Sequence, residues 1–532
     1  MNDETVRLDR APQISPAPKS LRLLFLATLL AGAFLLFWIR HAAHTDSEWN
    51  PATYFYVGKT ILDGGLPYRD AYDVKGPGIY YLFAFSMLFT GQNPLGIHLI
   101  EAIWLALTAW VLSCVTARLY RQQAAGYLAG SFLLIYLISY APRGEITEPD
   151  FLIILPMALG ILLLLRAEEH DRLGQWVLAG LSMAAAAMLK LPAAALGIAM
   201  MFAAVRLAPA RLGRISARLA ALAAGLLVPV LLFVLWYYFR GALSDMWTAQ
   251  FVFVPEYLRA FNAWQSPACV REMFTRPMHL PLYAMGGLAI VGLIPSGRKA
   301  GRWPDVLVIV WLGVAALALF LHGLFFEYHF VPLAAPLAIL SARALIGWRD
   351  EHAALRLAVI AGVLLFLFMP VKHVPHFLLT ESYALGEARA AKDPWRILAV
   401  SLRARTAPGD TLFLWGNVPH FYLDADRRPP TRFFHTMHLS TPGAQELARP
   451  ELLAGLEAHQ PKFFAVNKGR TIGVGPCPIS HFDFYESFLN FSGLQKFLEA
   501  GYVVEEDTPR YTLYRRNDVA PPVALTESPA VR

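Results

Sequence analysis

Charge is scarce in this chain. Asp, Glu, Lys and Arg make up 16% of its 532 residues, and hydrophobic residues make up 56%. Soluble domains carry about 25% charged residues, so the balance excludes an ordinary soluble protein and indicates a polytopic membrane protein. Cysteine is scarcer still, with only Cys114, Cys269 and Cys477. Their wide spacing fits no metal-thiolate motif. Cys114 lies inside an apolar run and is a poor disulfide partner, whereas a Cys269–Cys477 bridge is open if both face an oxidising compartment. The chain also lacks a Gly-rich phosphate cradle, an internal repeat and any low-complexity tract, so nothing in it points to nucleotide binding.

What it has in abundance is apolar sequence. Runs recur near 21–40, 95–117, 124–141, 149–166, 175–190, 192–207, 216–239, 279–296, 304–322, 328–346 and 354–370. They predict a polytopic α-helical membrane protein with about eleven spans. The first run has no small-residue cleavage site after it and reads as a retained anchor behind a short cytoplasmic tail, residues 1–20. A further run, Gly78–Thr90, is short.

Net charge of +7 would suggest nucleic acid for a soluble chain, but here the basic residues lie in short loops and set orientation. With the N-terminus inside and 78–90 uncrossed, the clusters near Arg118, Arg166, Arg211, Arg298 and Arg349 all face the cytoplasm. Gly78–Thr90 is then expected to lie along the outer interface, with Tyr80 and Tyr81 at headgroup depth. The same reading makes the bilayer a partner and nucleic acid not one. It also puts residues 41–94, 143–150, 240–278, 322–329 and everything after Pro370 outside.

Beyond Pro370 the pattern changes. Short β-rich runs at Thr411–Trp415, Lys462–Val466, Tyr502–Glu505 and Arg510–Tyr514 alternate with helical patterns at Trp395–Ala404 and Ala444–His459. They predict a small C-terminal α/β outer domain over 371–520 and a disordered tail over 521–532, after a transmembrane domain at 21–370.

The expected topology gathers ionisable residues on one rim. Asp46 and Glu48 follow the first span, and Asp73 and Lys75 precede the short helix. Glu148 and Asp150 open the fourth span, Lys190 lies between the fifth and sixth, and Tyr328 and His329 open the tenth. Charges held where hydrocarbon meets water are costly and mark functional sites. A carboxylate there can deprotonate an acceptor hydroxyl or amine, and a lysine can neutralise a departing phosphate. Trp415, His420, Tyr422, Arg427, Arg428 and Arg432 are further candidates for sugar or anion contact, or else for folding of the outer domain.

In order along the chain, several pieces resemble the GT-C superfamily of membrane glycosyltransferases. The similarity is to the bacterial glycosyltransferase family 39 branch of protein mannosyltransferases and lipid A aminoarabinose transferases. The pieces are Asp46 with Glu48, GGLPYRDAYDVKGPGIYYL (64–82), TEPDFLIILP (147–156), MLKLPAAAL (188–196), EYHFVPLAAPLAIL (327–340) and WGNVPHFYLDADRRPPTRFF (415–434). The resemblance implies a GT-C fold and sugar transfer, with inversion, from a polyprenyl-phosphate donor to a glycan, lipid or protein acceptor. The expected setting is the outer face of a bacterial inner membrane. It implies Asp46 or Glu48 as catalytic base. It further implies that Asp73, Lys75, Glu148 (or Asp150), Lys190, Tyr328 and His329 bind donor phosphate or substrate. Ser47 separates two acids that many relatives hold adjacent, which leaves the choice of base open. A divalent cation, Mg²⁺ or Mn²⁺, held by Asp46 and Glu148 is the cofactor expectation. An oligosaccharide transferase of the same superfamily is the neighbouring alternative. A transporter or a non-catalytic envelope assembly protein is the alternative of a different class, and paired broken helices related by a repeat would mark a transporter.

Overall fold

The computed structural model describes residues 14–43, 49–141, 145–170, 172–206, 212–294, 302–347, 353–380, 383–469, 476–481 and 483–520. Helix α1 (Lys19–Ala43) is followed by α2 (Trp49–Leu62), α3 (Pro77–Thr90), α4 (Leu95–Tyr120) and α5 (Gln123–Tyr140). A short α6 (Pro149–Leu152) runs into α7 (Ile154–His170), and then come α8 (Leu173–Leu189), α9 (Gly197–Arg206) and α10 (Leu212–Phe239). Among the described residues, eight helices are long and apolar enough to cross a membrane. Four apolar helices are shorter, at Pro77–Thr90, Leu173–Leu189, Leu191–Met201 and Pro277–Leu293. The last three of these and the eight long ones coincide with the eleven runs expected from the sequence. The last long one, Ala353–Thr380, continues past Pro370 with Pro370 and Pro375 inside it.

Small residues set the closest crossings. A side chain on Gly180 of α8 would sit 2.2 Å from the Leu222 carbonyl, and one on Gly225 of α10 would sit 2.0 Å from the Val177 carbonyl. The two backbones can touch only because both positions are glycine, the usual device for helix contact in lipid. Helix α3 begins at Pro77, where a proline costs no helical hydrogen bond. Its 14 residues span about 21 Å, short of the ~30 Å hydrocarbon core. It packs on α2, α4 and α8.

The C-terminal domain holds a four-stranded sheet in the order β1-β2-β4-β3. Its strands are β1 (Leu412–Trp415), β2 (Phe463–Asn467), β3 (Tyr502–Asp507) and β4 (Tyr511–Arg516). Strands β1 and β2 are parallel, so the chain between them must cross over. It does so through the helix at Gln445–His459. Strands β3 and β4 form an antiparallel hairpin. Leu412, Phe413, Leu414 and Trp415 are all buried, so β1 is covered on both faces, and Phe464 and Leu513 are buried beside it.

This domain docks on the loop between α2 and α3. Tyr72 donates its backbone N–H to the Arg432 carbonyl at 2.9 Å. Arg432 also pairs with Asp245 and Glu451, and Tyr56 stacks on Phe434 at 4.3 Å. Cys269 and Cys477 form a disulfide between the loop region after α10 and the C-terminal domain. The bridge left open by the sequence is therefore present, and Cys114 is free. The expected tail at 521–532 lies outside the described residues.

Candidate active site

A cavity of about 410 Å³ opens where the helix bundle meets the C-terminal domain. Asp73, Lys75, Asp150, Lys190, Glu327, Tyr328, His329, His435 and His438 all line it. The sequence places these residues in five separate segments, and the fold brings them to one wall.

The loop carrying Asp73 and Lys75 is held by a frame of hydroxyls and amides. Tyr80 donates its hydroxyl to Asp73 Oδ2 at 2.5 Å, and the Lys75 backbone N–H donates to the Tyr80 oxygen at 3.0 Å. Tyr68 donates to the Lys75 carbonyl at 2.8 Å, and Gln250 donates to the Val74 carbonyl at the same distance. Gly76 lets this loop lie against the end of α8. A side chain there would meet the carbonyl oxygens of Met188 and Leu189 at 2.5 Å. Lys75 is thereby fixed beside the segment that carries Lys190.

Each lysine is paired with one of the two acids that open α6. Lys75 Nζ lies 3.1 Å from Glu148 Oε2. Lys190 Nζ is held between both Asp150 oxygens, at 2.7 and 2.6 Å. Tyr54 and Asn50 donate to Glu148 as well, so this buried carboxylate sits behind Lys75 as an anchor. The two acids have separate lysines, so Asp150 is more than a charge complementing a helix dipole. Tyr328 lies under Lys75, with Nζ 5.6 Å from its ring centroid. His329 packs against His322 with ring centroids 4.1 Å apart.

The electrostatics follow from burial and pairing. Burial alone would lower the Lys75 ammonium, but the Glu148 and Asp73 carboxylates push it up, so the lysine stays charged. Burial opposes ionisation of Asp73. The neighbouring His435 and the Tyr80 hydroxyl outweigh it and hold the carboxyl well below the usual range. Burial raises the Tyr54 hydroxyl, and Glu148 beside it raises it further, so this group stays protonated as a donor. The cavity wall therefore presents lysine ammoniums held in place by carboxylates, which suits recognition of an anionic oxygen group.

Asp46 and Glu48, the expected catalytic pair, lie outside the described residues. Glu148, expected to hold a cation together with Asp46, is engaged by Lys75, Tyr54 and Asn50. Tyr80 is fully buried within the protein, with its hydroxyl turned to Asp73. The aromatic and basic candidates of the C-terminal domain go to folding and docking. Trp415 donates to the Phe484 carbonyl, and Tyr422 accepts the Leu414 N–H. His420 meets Asp393. Arg427 is spent on Thr406 and the Arg403 carbonyl, and Arg428 on Asp63. The residues of the C-terminal domain that do reach the cavity are Ile479 and, just past that stretch, His435, Met437 and His438. The signal for the two histidines was a His-x-x-His spacing. Asp73, His435 and His438 also form a group able to hold a metal ion.

Two crystal structures of ArnT from Cupriavidus metallidurans are similar to this chain along nearly its whole length. The one bound to undecaprenyl phosphate is 15% identical with a TM-score of 0.55, covering 95% of this chain and 100% of that one. The apo structure is 16% identical with a TM-score of 0.52, covering 93% and 97%. The chain has the GT-C fold. Within this GT-C chain, residues 74–249 match the model of the dolichyl-phosphate-mannose-protein mannosyltransferase family. That stretch contains Lys75, Glu148, Asp150 and Lys190. No curated protein matches the sequence.

Proposed function

We propose that this chain is an inverting glycosyltransferase. It moves a sugar from a polyprenyl-phosphate donor to a glycan, lipid or protein acceptor on the outer face of a bacterial cytoplasmic membrane. The observation that carries the reading is the cavity wall on which Lys75 and Lys190 are each held by a buried carboxylate. A sugar leaving a lipid phosphate needs cationic groups preorganised at the phosphate, and this wall supplies them. The undecaprenyl phosphate bound to the similar ArnT structure supports a lipid phosphate as the donor's carrier.

In this reaction the acceptor oxygen or nitrogen attacks the anomeric carbon. The bond from that carbon to the phosphate oxygen breaks, and its electron pair leaves with the polyprenyl phosphate. Lys75 and Lys190 stabilise the phosphate. Asp46, or Glu48 beside it, takes the acceptor proton. Tyr328 and His329 border the donor, and Glu148 positions Lys75. Two observations favour the outer face. Basic residues crowd the loops at the other end of the bundle, and the Cys269–Cys477 disulfide fits an oxidising compartment.

The test is Asp46→Asn in membranes supplied with polyprenyl-phosphate sugars. Loss of transfer with intact protein levels is expected. Unchanged transfer removes the role of Asp46, and no transfer by the wild type from any such donor removes the function.

A further inference from the structure

The lysine–carboxylate wall leaves one cluster unexplained. One ligand-capable atom from each of Asp73, His435 and His438 lies within 4.8 Å of the other two, and all three residues are buried. Asp73 comes from the loop before α3. The histidines come from the C-terminal domain, three residues apart at the short helix Met437–Ser440. The cluster therefore straddles the junction between the two parts of the molecule, and it lines the cavity.

The surroundings orient each group. Asp73 Oδ2 accepts from Tyr80, while Oδ1 faces His435 Nε2 at 3.6 Å. The His438 ring is held edge-on by Tyr72 at 4.5 Å and Phe253 at 4.3 Å. The two imidazoles lie 4.7 Å apart, centroid to centroid. An acid whose second oxygen accepts a hydrogen bond, beside a His438 ring packed between aromatic neighbours, has the supporting contacts of a metal site.

The donor chemistry selects the ion. Two imidazole nitrogens and one carboxylate oxygen suit zinc and its transition-metal neighbours, whereas Mg²⁺ and Ca²⁺ prefer oxygen alone. Tetrahedral zinc at about 2.0–2.1 Å from its ligands sets them roughly 3.3 Å apart. Each pair here would close by about 1.5 Å or less, within reach of side-chain rotation.

We propose that Asp73, His435 and His438 bind one divalent transition-metal ion of the zinc class. The ion clips the C-terminal domain to the loop before α3 and leaves one coordination position facing the cavity. This site is distinct from the carboxylate-held Mg²⁺ or Mn²⁺ expected at Asp46 and Glu148, and it stands independently of sugar transfer.

The experiment is equilibrium dialysis of the full chain, purified in detergent and stripped with chelator, against Zn²⁺ alone and then Co²⁺ alone. The expected result is about one ion per chain, with the strong visible absorption of tetrahedral cobalt. His435→Ala and His438→Ala should each weaken binding tenfold or more, and His459→Ala, at the exposed end of a helix, should leave it unchanged. Melting curves on the same samples identify any variant that fails to fold. The wild type carries the test by itself, because its melting temperature should rise with Zn²⁺ and fall with chelator. Wild-type protein that takes up no Zn²⁺ and melts identically with and without it overturns the proposal. So does full binding by the folded His435→Ala/His438→Ala double variant.

Discussion

Lys75 Nζ lies 3.1 Å from Glu148 Oε2, joining two segments 73 residues apart in sequence. The carboxylate is buried and the ammonium half-buried, so the pair behaves as a buried one in which each partner neutralises the other. Removing the lysine leaves Glu148 uncompensated. Lys75→Met should therefore destabilise the protein by about 2–4 kcal/mol, read as a drop in melting temperature in detergent. Adding Glu148→Gln should recover most of that stability without recovering sugar transfer. Recovery of both would mean that Lys75 serves only its partner.

Gly76 offers a second test of the same loop. A Cβ there would collide with two backbone carbonyls that cannot rotate away. Gly76→Ala should cost about 1–3 kcal/mol and displace Lys75, lowering transfer below what the stability loss alone explains. Gly409→Ala, where nothing lies within 4 Å, should be within about 0.5 kcal/mol of wild type.

The Cys269–Cys477 disulfide closes a loop of 208 residues. Its loss, by reduction or by the double Cys→Ser variant, should cost about 2–4 kcal/mol. Under denaturing, non-reducing conditions a maleimide should label only one of the three cysteines, Cys114. Three labelled cysteines would mean that the bridge does not form in the cell.

Much of this fold was readable from the sequence because hydrocarbon imposes a simple demand. Every apolar run long enough to span had to become a helix, and the strands at Leu412–Trp415 and Phe463–Asn467 announced themselves by short runs of aromatic and aliphatic residues. The pairing of charges was not readable. Whether Lys190 meets Glu148 or Asp150 depends on how Gly76 lets one loop lie against α8, which no local pattern encodes. The bond from Tyr80 to Asp73 was not readable either, because a tyrosine at an interface and one buried against a carboxylate look alike in sequence. Trp415 and Arg427 are open to ligand contact or to folding in the sequence, because aromatic and basic residues do both jobs, and here the domain's own folding uses them.

Asp393 provides a pH-dependent prediction within the C-terminal domain. Burial raises its carboxyl, but the His420 ring and the Trp395 N–H outweigh that and hold it below the ordinary value. A depressed folded-state pKa contributes stability above the unfolded value of about 3.9, and that contribution is lost as pH falls toward the folded one. Asp393→Asn keeps a side chain able to cap the helix at Pro394–Ala404. It should lower the melting temperature at pH 7, by an amount that shrinks as the pH is taken below the unfolded value of about 3.9. An effect that does not shrink would show that the charge is not responsible.

The central claim is that the cavity wall recognises a lipid-linked phosphate. It is tested most directly by binding of polyprenyl phosphate, with polyprenol of the same length as control, to the purified full chain in nanodiscs. The account predicts saturable binding of the phosphate that exceeds that of the alcohol by about tenfold or more. This preference should be lost in the stable Lys75→Met/Glu148→Gln variant. Equal binding of phosphate and alcohol, or a preference unchanged in that variant, would contradict it.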